Sequence, residues 1–290
     1  ILDDDPTGTQ TCHDINILTV WDVPTLVSEF KQTKQGSGFF ILTNSRALHP
    51  KQARDLITEI CKNLHAASKE TGSAFEVVLR SDSTLRGHFP LEAEAVEHVL
   101  GAAWILCPFF LQGGRYTIND VHYVQEGDHL VPAAQTPFAK DATFGYKSSN
   151  LKDYVVEKSK GAIPKERTLS ISLDTIRTGG VGAVLDQLLQ GVQGPQPVIV
   201  VNAAADEDID VVVSALIKAS DLGKRFLFRT GAAFVSARLG IPSIPPISAG
   251  QLHLTRDVGG LIIAGSYVPK TTAQLESLRN LAGKDLTSIV

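Results

Sequence analysis

The sequence predicts an α/β fold with a mostly parallel sheet flanked by helices. Short apolar runs, typical of buried strands, alternate along the chain with segments whose apolar residues recur at helical spacing. This alternation is typical of βαβ units, whose strands pair in parallel. Clusters of polar and charged residues also follow several of the apolar runs directly. In this fold class, ligands bind at the carboxyl ends of the strands.

The candidate strands are short apolar runs, and the apolar pair Ile1-Leu2 ends a further one. The runs are residues 15–20, 39–43, 75–80, 104–108, 168–172, 198–202, 226–229 and 261–265. The candidate helices are residues 50–64, 90–100, 206–222 and 270–282. Pro50 and Pro90 suit the first turn of a helix, and Gly101 suits the end of one.

Two stretches interrupt the alternation. Residues 109–150 are rich in glycine, aromatic and polar residues, and a loop of that length within a domain is usually functional, so we expect a lid or a binding loop. The proline-rich segment 240–248 indicates a stiff linker. We therefore expect one α/β domain over residues 1–245. Residues 246–290 should form a linker and the beginning of a truncated second α/β domain, because they are too few for a core of their own.

Composition and charge exclude several classes of partner. The chain has 290 residues, of which 43% are hydrophobic and 20% charged, as in an ordinary globular enzyme. Its net charge of −4 gives no reason to expect nucleic acid or an anionic membrane. No apolar run is long enough to span a bilayer. The three cysteines lack CxxC spacing, which favours a reducing compartment and a cytoplasmic location.

The most informative motif is the run from Asp3 to Asp5, followed by Thr7-Gly8. Three adjacent carboxylates at a strand end resist burial unless a cation, a group of donors or a substrate hydroxyl offsets them. A solvated acidic turn is the simplest interpretation. Two functional interpretations stay open. Asp3 could be the nucleophile and Asp5 the general acid of a phosphatase. Alternatively, the carboxylates could orient a hydroxyl and accept its proton during phosphoryl transfer.

Two further polar clusters follow strands in the same way. One covers residues 80–88 and combines two arginines with serine, threonine and aspartate, and the other contains Asn44 and Arg46. Guanidinium groups suit a carboxylate or a phosphate, and hydroxyl groups suit a polyol. Taken singly, each cluster could be a structural cap or ion pair. A parallel sheet would bring all three strand ends to one edge and form a pocket for an anion and hydroxyl groups.

Together, these motifs resemble the four-carbon acid sugar kinase family, long catalogued as a domain of unknown function. The similar segments are Asp-Asp-Pro-Thr-Gly (4–8), Asn-Ser-Arg (44–46), Ser-Asp-Ser-Thr-Leu-Arg-Gly (81–87) and the stretches 108–117, 144–150 and 265–275. The resemblance spans essentially the whole chain. The stretches 108–117 and 144–150 are similar to the branch that is sometimes fused to aldolase-like or dehydrogenase-like domains or labelled a type III effector.

The resemblance implies an ATP-dependent kinase that phosphorylates the terminal hydroxyl of threonate, erythronate, 3-oxo-tetronate or a similar acid. It implies that the N-terminal domain binds the acid sugar and that a C-terminal domain binds ATP, with Mg²⁺ accompanying the nucleotide. The substrate-binding positions would be Asp5, Arg46 and the segment from Arg80 to Thr84. Ser266, preceded by Gly265, matches a nucleotide contact. Arg80 stands where many relatives have lysine.

We assign roles on this basis. Asp5, or Asp4, takes the proton from the attacking hydroxyl, and Arg86 neutralises charge on the migrating phosphoryl group. The remaining residues bind substrate: Arg46 and Arg80 clamp its carboxylate, and Asn44, Ser81, Asp82, Ser83 and Thr84 line the site and read its hydroxyl groups. The partner is a small-molecule acid sugar, with no nucleic acid and no membrane, and a homodimer stays open. The alternatives are the phosphatase and a non-catalytic module that binds an acid sugar.

Overall fold

A computed structural model of the chain describes residues 1–9, 11–191, 197–253, 260–266 and 269–283. The chain divides into two compact units, Ile1–Ser243 (unit 1) and Ile244–Val290 (unit 2). The division falls close to residue 245, where the proline-rich segment led us to expect a boundary.

Unit 1 contains a large parallel sheet and a small antiparallel one. In chain order the strands are β1 (Leu2–Asp3), β2 (Ile17–Leu18), β3 (Phe40–Leu42), β4 (Val78–Arg80), β5 (Ala103–Cys107), β6 (Arg115–Ile118), β7 (Val121–Glu126), β8 (His129–Pro132), β9 (Thr168–Ile171), β10 (Val198–Val201) and β11 (Phe226–Thr230). The large sheet has the order β2-β3-β1-β4-β11-β5-β10-β9, and the small sheet has the order β6-β7-β8. Every strand pair of the large sheet is parallel among the described residues, which confirms the predicted fold class.

Helices cover both faces of the large sheet. They are α1 (Val23–Gln32), α2 (Pro50–Thr71), α3 (Leu91–Leu100), α4 (Leu151–Lys158), α5 (Gly180–Gly191), α6 (Asp206–Asp221) and α7 (Ala232–Leu239), and unit 2 contains α8 (Pro269–Ala282). The strands are therefore apolar on both sides, as buried parallel strands are. In β5, Trp104 and Leu106 belong to the core on one face, whereas Ile105 and Cys107 belong to the core on the other.

Local sequence explains why α2 forms and where it ends. Pro50 begins it, and Gly72 ends it in the left-handed conformation with φ of 70°, which glycine adopts without steric cost. Its buried stripe includes Ile57 and Leu64 and continues to Ala67. The helix is therefore longer than the predicted segment 50–64, because the apolar periodicity continues through an alanine that the prediction did not count.

Two predictions of local structure were wrong. Residues 109–150 form strands β6 to β8 with short 3₁₀ helices rather than one irregular loop, because antiparallel pairing of β6 with β7 and of β7 with β8 satisfies their backbone. Residues 261–265 form no strand. A strand needs a neighbour to pair its backbone, and none of the described residues pairs with this segment. Leu261 and Ile263 are 86% and 87% exposed.

Composition led us to expect unpaired cysteines and no segment that spans a bilayer. Cys12, Cys61 and Cys107 are free thiols. Among the helices of the described residues, none combines the length and the apolar character needed to cross a bilayer. A cytoplasmic location stays a prediction, as does the interpretation of unit 2 as the beginning of a nucleotide-binding domain.

Candidate functional site

The ends of four neighbouring strands bring the predicted polar clusters together at the carboxyl edge of the large sheet. Asp3 in β1 pairs with Leu42 in β3 and with Arg80 in β4, and Arg80 pairs with Thr230 in β11. The backbone N–H of Arg46 donates to the carbonyl of Asp4 over 3.1 Å. The meeting of these strand ends, expected from a parallel sheet, is confirmed by this register.

Arg46 joins two of the three aspartates. Its Nε and Nη2 donate to the carboxylate of Asp4 over 3.2 and 2.5 Å, and its Nη1 lies 2.5 Å from Oδ2 of Asp5. All three nitrogens of the guanidinium are therefore engaged by carboxylates of the protein. The pair holds the loop after β3 against the end of β1.

Asp4 is enclosed. Only 3% of the residue is exposed, and burial raises its pKa even though Arg46 and Arg229 oppose this shift. A Cβ atom on Gly87 would lie 3.1 Å from Oδ2 of Asp4, and Gly87 has φ of 116°, which disfavours any other residue. Asp4 is thus a buried partner of Arg46, with little access for a substrate.

Asp5 is the accessible member of the run. It is half-buried, and its Oδ1 accepts hydrogen bonds from the backbone N–H and the hydroxyl of Thr7 over 2.8 and 2.5 Å. Burial by itself raises the pKa of Asp5, but Arg46, the two bonds from Thr7 and Arg80 together lower it below its ordinary value. Asp5 is therefore an ionised carboxylate with a fixed orientation.

Asp3 lies beneath the turn that follows it. A Cβ atom on Gly8 would lie 1.8 Å from Oδ2 of Asp3, so only glycine fits there. Among the described residues, Oδ1 of Asp3 has no hydrogen-bond partner, and its ion-pair partner, Nη1 of Arg80, is 3.8 Å away. Burial raises the pKa of Asp3 to about 7, and Asp4 and Asp5 add to this while Arg80 opposes it.

The three aspartates do not fit a resident Mg²⁺ ion, although their geometry alone would allow one. One oxygen from each lies within 4.8 Å of the others. The guanidinium of Arg46 already contacts Asp4 and Asp5, and that of Arg80 lies near Asp3 and Asp5. A divalent cation at this position would be repelled by both arginines, whose charges already offset those of the carboxylates.

The segment after β4, residues 81–86, forms a loop whose hydrogen bonds converge on the Asp82 carboxylate, and we call it the Asp82 loop. The Asp82 carboxylate accepts from Nε of Arg86 over 2.7 Å, from the Arg86 backbone over 3.2 Å and from the Thr84 hydroxyl. Although burial opposes it, these bonds and the charges of Arg86 and Arg46 hold the pKa of Asp82 well below its usual range. Ser81 and Thr84 are buried, whereas Asp82 and Ser83 are half-buried.

Two side chains that were not predicted from the sequence, Arg229 and Tyr146, form hydrogen bonds to the backbone of this loop. Arg229, 4% exposed at the end of β11, donates to the carbonyls of Arg86 and Asp82 over 2.9 and 3.4 Å. The Tyr146 hydroxyl donates to the Thr84 carbonyl over 2.7 Å. The sequence did indicate a role for Arg229, since it is a charged residue that ends an apolar run. Nothing in the local sequence links Tyr146 to a loop 62 positions earlier.

Histidine and glutamate side chains complete the support of the site. His122 is buried, and burial lowers its pKa to about 4, so it is neutral; its Nε2 donates to the Ser83 carbonyl over 2.7 Å. Glu92 accepts from the Ser45 hydroxyl over 2.5 Å. Burial raises the pKa of Glu92 to about 7, and Asp4 adds to this. Both residues fix the loops around the aspartates rather than facing solvent.

Three predicted residues lie away from these contacts. Asn44 is exposed at the start of the loop after β3, in the left-handed conformation with φ of 49°. Gly265 and Ser266 belong to unit 2, where the Thr271 hydroxyl donates to that of Ser266 over 3.0 Å. Their roles stay predictions.

Two arginines and a phenylalanine lie beside the Asp82 loop. The guanidinium carbons of Arg86 and Arg115 are 5.2 and 5.5 Å from the centre of the Phe138 ring, within the range of a cation–π contact. Arg115 begins β6, in the stretch that we expected to be a lid or binding loop. That stretch is a small sheet, and it places a guanidinium at the site.

Solved structures with the same fold support the predicted architecture. One is a domain of unknown function (DUF1537) from Bordetella bronchiseptica with bound citrate, a domain-swapped dimer, which is 21% identical with a TM-score of 0.61. Another is a Haemophilus influenzae protein of the same family, 17% identical with a TM-score of 0.57. Each match covers 83% of this chain and 56% of the other, so this chain spans little more than half the length of either.

Family membership comes from the sequence. None of the curated proteins compared with this chain matches it. The family described as the sugar-binding N-terminal domain matches residues 1–238, which cover the whole large sheet and include Asp5, Arg46 and Asp82 at its carboxyl edge. The chain belongs to the sugar-binding N-terminal domain family.

Proposed function

We propose that unit 1 binds a four-carbon acid sugar at the carboxyl edge of the sheet and presents it for ATP-dependent phosphorylation of its terminal hydroxyl. Threonate, erythronate and 3-oxo-tetronate are the proposed substrates. One observation carries the proposal: Asp5 is a half-buried, ionised carboxylate, held by Thr7 and Arg46, at an edge lined by arginines. The family description supports a sugar as the ligand, and the phosphoryl transfer to that sugar is our proposal.

Asp5 is the proposed acceptor of the alcohol proton. In phosphoryl transfer the protein mainly positions the reactants, and an aspartate that orients the attacking hydroxyl is a recurring component. Thr7 occupies Oδ1 and Arg46 contacts Oδ2 of Asp5, so the carboxylate cannot rotate freely. Each carboxylate oxygen has two lone pairs, so Oδ2, which contacts only Arg46 among the described residues, keeps one lone pair available to a substrate hydroxyl. Asp4 is too enclosed for this task.

The Asp82 loop is the proposed reader of the sugar hydroxyls. Asp82 and Ser83 are the half-buried members, so they are the ones that we assign to direct contact. Ser81 and Thr84 are buried, and the Thr84 hydroxyl donates to Asp82, which suits a supporting role. Asn44, exposed at the rim, is a further proposed contact.

The arginines supply positive charge for an acidic substrate and for a transferred phosphoryl group. Arg86 has a half-buried guanidinium beside Asp82, so we keep its proposed role towards the phosphoryl group. Arg46 and Arg80 have most of their charge offset by Asp3, Asp4 and Asp5. Their proposed contribution is therefore to hold the carboxylates in place as well as to attract the acid.

ATP and Mg²⁺ are proposed cofactors for the reaction. The described residues of unit 2 comprise residues 244–253, 260–266 and helix α8. No sheet or phosphate-binding loop occurs among them, so they do not by themselves fit a nucleotide. Gly265 and Ser266 stay the proposed contacts. Since the aspartates do not fit a resident ion, we propose that Mg²⁺ binds with the nucleotide phosphates.

The structure argues against the phosphatase alternative. A nucleophilic Asp3 would need an open carboxylate aligned with a phosphorus atom. Asp3 instead lies under Gly8 with 3% exposure, and its pKa is raised to about 7. A substrate phosphate cannot reach it without displacing the turn. A non-catalytic module that binds an acid sugar stays the second candidate, favoured by the family description.

Calorimetry and a kinase assay test the proposal together. The protein is titrated with threonate, erythronate and 3-oxo-tetronate, with and without ATP and Mg²⁺, and ADP release is measured with each acid. We expect binding of at least one acid and ADP release that depends on it. Binding without ADP release would favour the non-catalytic module. If none of these acids binds, the proposal is wrong.

We also propose an oligomeric state and a location for the protein. The Bordetella bronchiseptica protein is a domain-swapped dimer, which makes a homodimer the oligomeric state to test first by light scattering. A cytoplasmic location fits the free thiols, since reducing compartments keep cysteines unpaired.

A further inference from the structure

Arg115 is a cation at the site without a carboxylate partner among the described residues. Its Nη1 donates to the carbonyl of Gly113, and its Nε is buried with no hydrogen-bond partner in the described part of the chain. The guanidinium lies against the ring of Phe138. A buried donor without an acceptor is costly, and no carboxylate forms a salt bridge with this guanidinium in the described part of the chain, so an anionic ligand would stabilise it.

Arg86 offers further donors beside the same ring. In the described part of the chain, its side-chain hydrogen bonds all leave from Nε, to Asp82 and to Thr84. The two terminal nitrogens, which are the ones that form a fork, are not used by these bonds. Arg86 and Arg115 therefore present two guanidiniums around one aromatic side chain, Phe138.

The positive charge of Arg115 is only partly offset. Asp82 is the acid that interacts with both Arg86 and Arg115, and it also interacts with Arg46. Arg86 is also attracted by Asp141, and Arg46 is paired with Asp4 and Asp5, whereas Asp82 is the acid that attracts Arg115. Burial lowers the pKa of Arg115 despite the attraction of Asp82, and the charge of Arg86 adds to this. An added anion would relieve both the repulsion and the burial of an uncompensated charge.

The backbone makes room for this guanidinium. A Cβ atom on Gly113 would lie 2.5 Å from the ring of Phe110 and 3.0 Å from Nη1 of Arg115. Glycine at this position lets the Arg115 side chain fold back over its own turn. The arginine is therefore held in place before any ligand binds.

We propose that Arg115 binds the carboxylate of the acid substrate beside Phe138, while the terminal nitrogens of Arg86 stay available to the phosphoryl group. Nη1 of Arg115 has a second N–H besides the one that it gives to Gly113, and Nη2 makes no hydrogen bond in the described part of the chain, so these two nitrogens can form parallel bonds to a planar carboxylate. Arg46 already gives its three nitrogens to Asp4 and Asp5, so it is less suited to the clamp that the sequence analysis assigned to it. This inference rests on the proposed function and names the part of the site that selects acids.

Paired ligands test the assignment by calorimetry. Threonate and erythronate are compared with threitol and erythritol, which carry a hydroxymethyl group in place of the carboxylate. The variants are Arg115→Gln and Arg115→Lys, and Arg54→Gln is the control because Arg54 pairs with Glu94 on the exposed surface. We expect Arg115→Gln to weaken acid binding by about tenfold to a hundredfold while tetritol binding stays nearly unchanged. Arg115→Lys should restore part of the preference, since it keeps the charge and loses the fork.

The ratio of acid to tetritol affinity distinguishes a contact from a structural role, because misfolding would weaken both ligands together. If the wild type binds an acid and Arg115→Gln keeps the same ratio, this inference is wrong while the proposed function stands. If the wild type binds none of the acids, the proposed function fails, and this inference fails with it.

Discussion

Arg46 and Asp4 form a two-bonded ion pair, with Nε to Oδ2 at 3.2 Å and Nη2 to Oδ1 at 2.5 Å. The side chain of Asp4 is 4% exposed and that of Arg46 is 17% exposed. The pair joins two neighbouring strand ends at the centre of the proposed site. Because Arg46 also contacts Asp5, we expect the position of Asp5 to depend on this ion pair.

Arg46→Ala should destabilise unit 1 by about 3 kcal/mol, because removal of one partner leaves a buried carboxylate uncompensated. Urea unfolding measures the free energy. The double variant Arg46→Ala/Asp4→Asn should recover part of the loss, since the uncompensated charge is gone. If the two single losses simply add, the ion pair does not couple these residues as proposed.

Asp5→Asn should reduce turnover by about a hundredfold to ten-thousandfold, because the amide cannot take the alcohol proton. The protein should stay folded, since Asn is isosteric and keeps an oxygen acceptor for Thr7. ADP release with the best acid substrate measures turnover, and thermal unfolding checks the fold. Asp55→Asn is the matched control, because Asp55 is 60% exposed and pairs with Lys51. Normal turnover of Asp5→Asn would contradict the assignment.

Gly8→Ala should destabilise the turn over Asp3 by about 1–3 kcal/mol, because the new Cβ would lie 1.8 Å from the Asp3 carboxylate. Gly182→Ala is the control: Gly182 lies in helix α5 with open space around its Cβ position. That change should stabilise the protein by about 0.5–1 kcal/mol. Equal effects of the two variants would mean that Asp3 is not covered as described.

Glu92→Gln should become more stable relative to the wild type as pH rises from about 4.5 to about 7. Burial raises the pKa of Glu92 from 4.5 to about 7, so the folded wild type binds a proton that the unfolded chain has released over this range. Stability from this group therefore falls as pH rises, by an amount on the order of a few kcal/mol.

The comparison between the two proteins isolates Glu92 from other titrating groups. The pKa of buried His122 is lowered to about 4, and this contribution has the opposite sign between pH 4 and 6.5. It is present in both proteins and cancels in the difference. Free energies of unfolding at several pH values provide the measurement. A constant difference across the range would show that Glu92 ionises normally in the folded protein.

Much of the site was predictable because its residues follow strands in sequence. Asp5, Arg46 and Asp82 each come shortly after an apolar run, and parallel strands bring their carboxyl ends to one edge. The helices with strong periodicity were also predictable, as α2 and α6 show. The strands of the stretch 109–150 were not, because they are short and their stability depends on pairing with each other and on contacts with distant segments.

The amino-acid sequence by itself determined the α/β class, the parallel sheet and the identity of the charged residues that meet at its edge, because periodicity and strand-end position are local properties. Only the tertiary structure decided which carboxylate is accessible and which guanidinium has no salt bridge among the described residues. Gly8 covers Asp3, and Arg46 encloses Asp4 and leaves Asp5 accessible. Arg115 comes to the site from a separate sheet. Burial and pairing depend on segments far apart in the chain, so no local pattern could assign them.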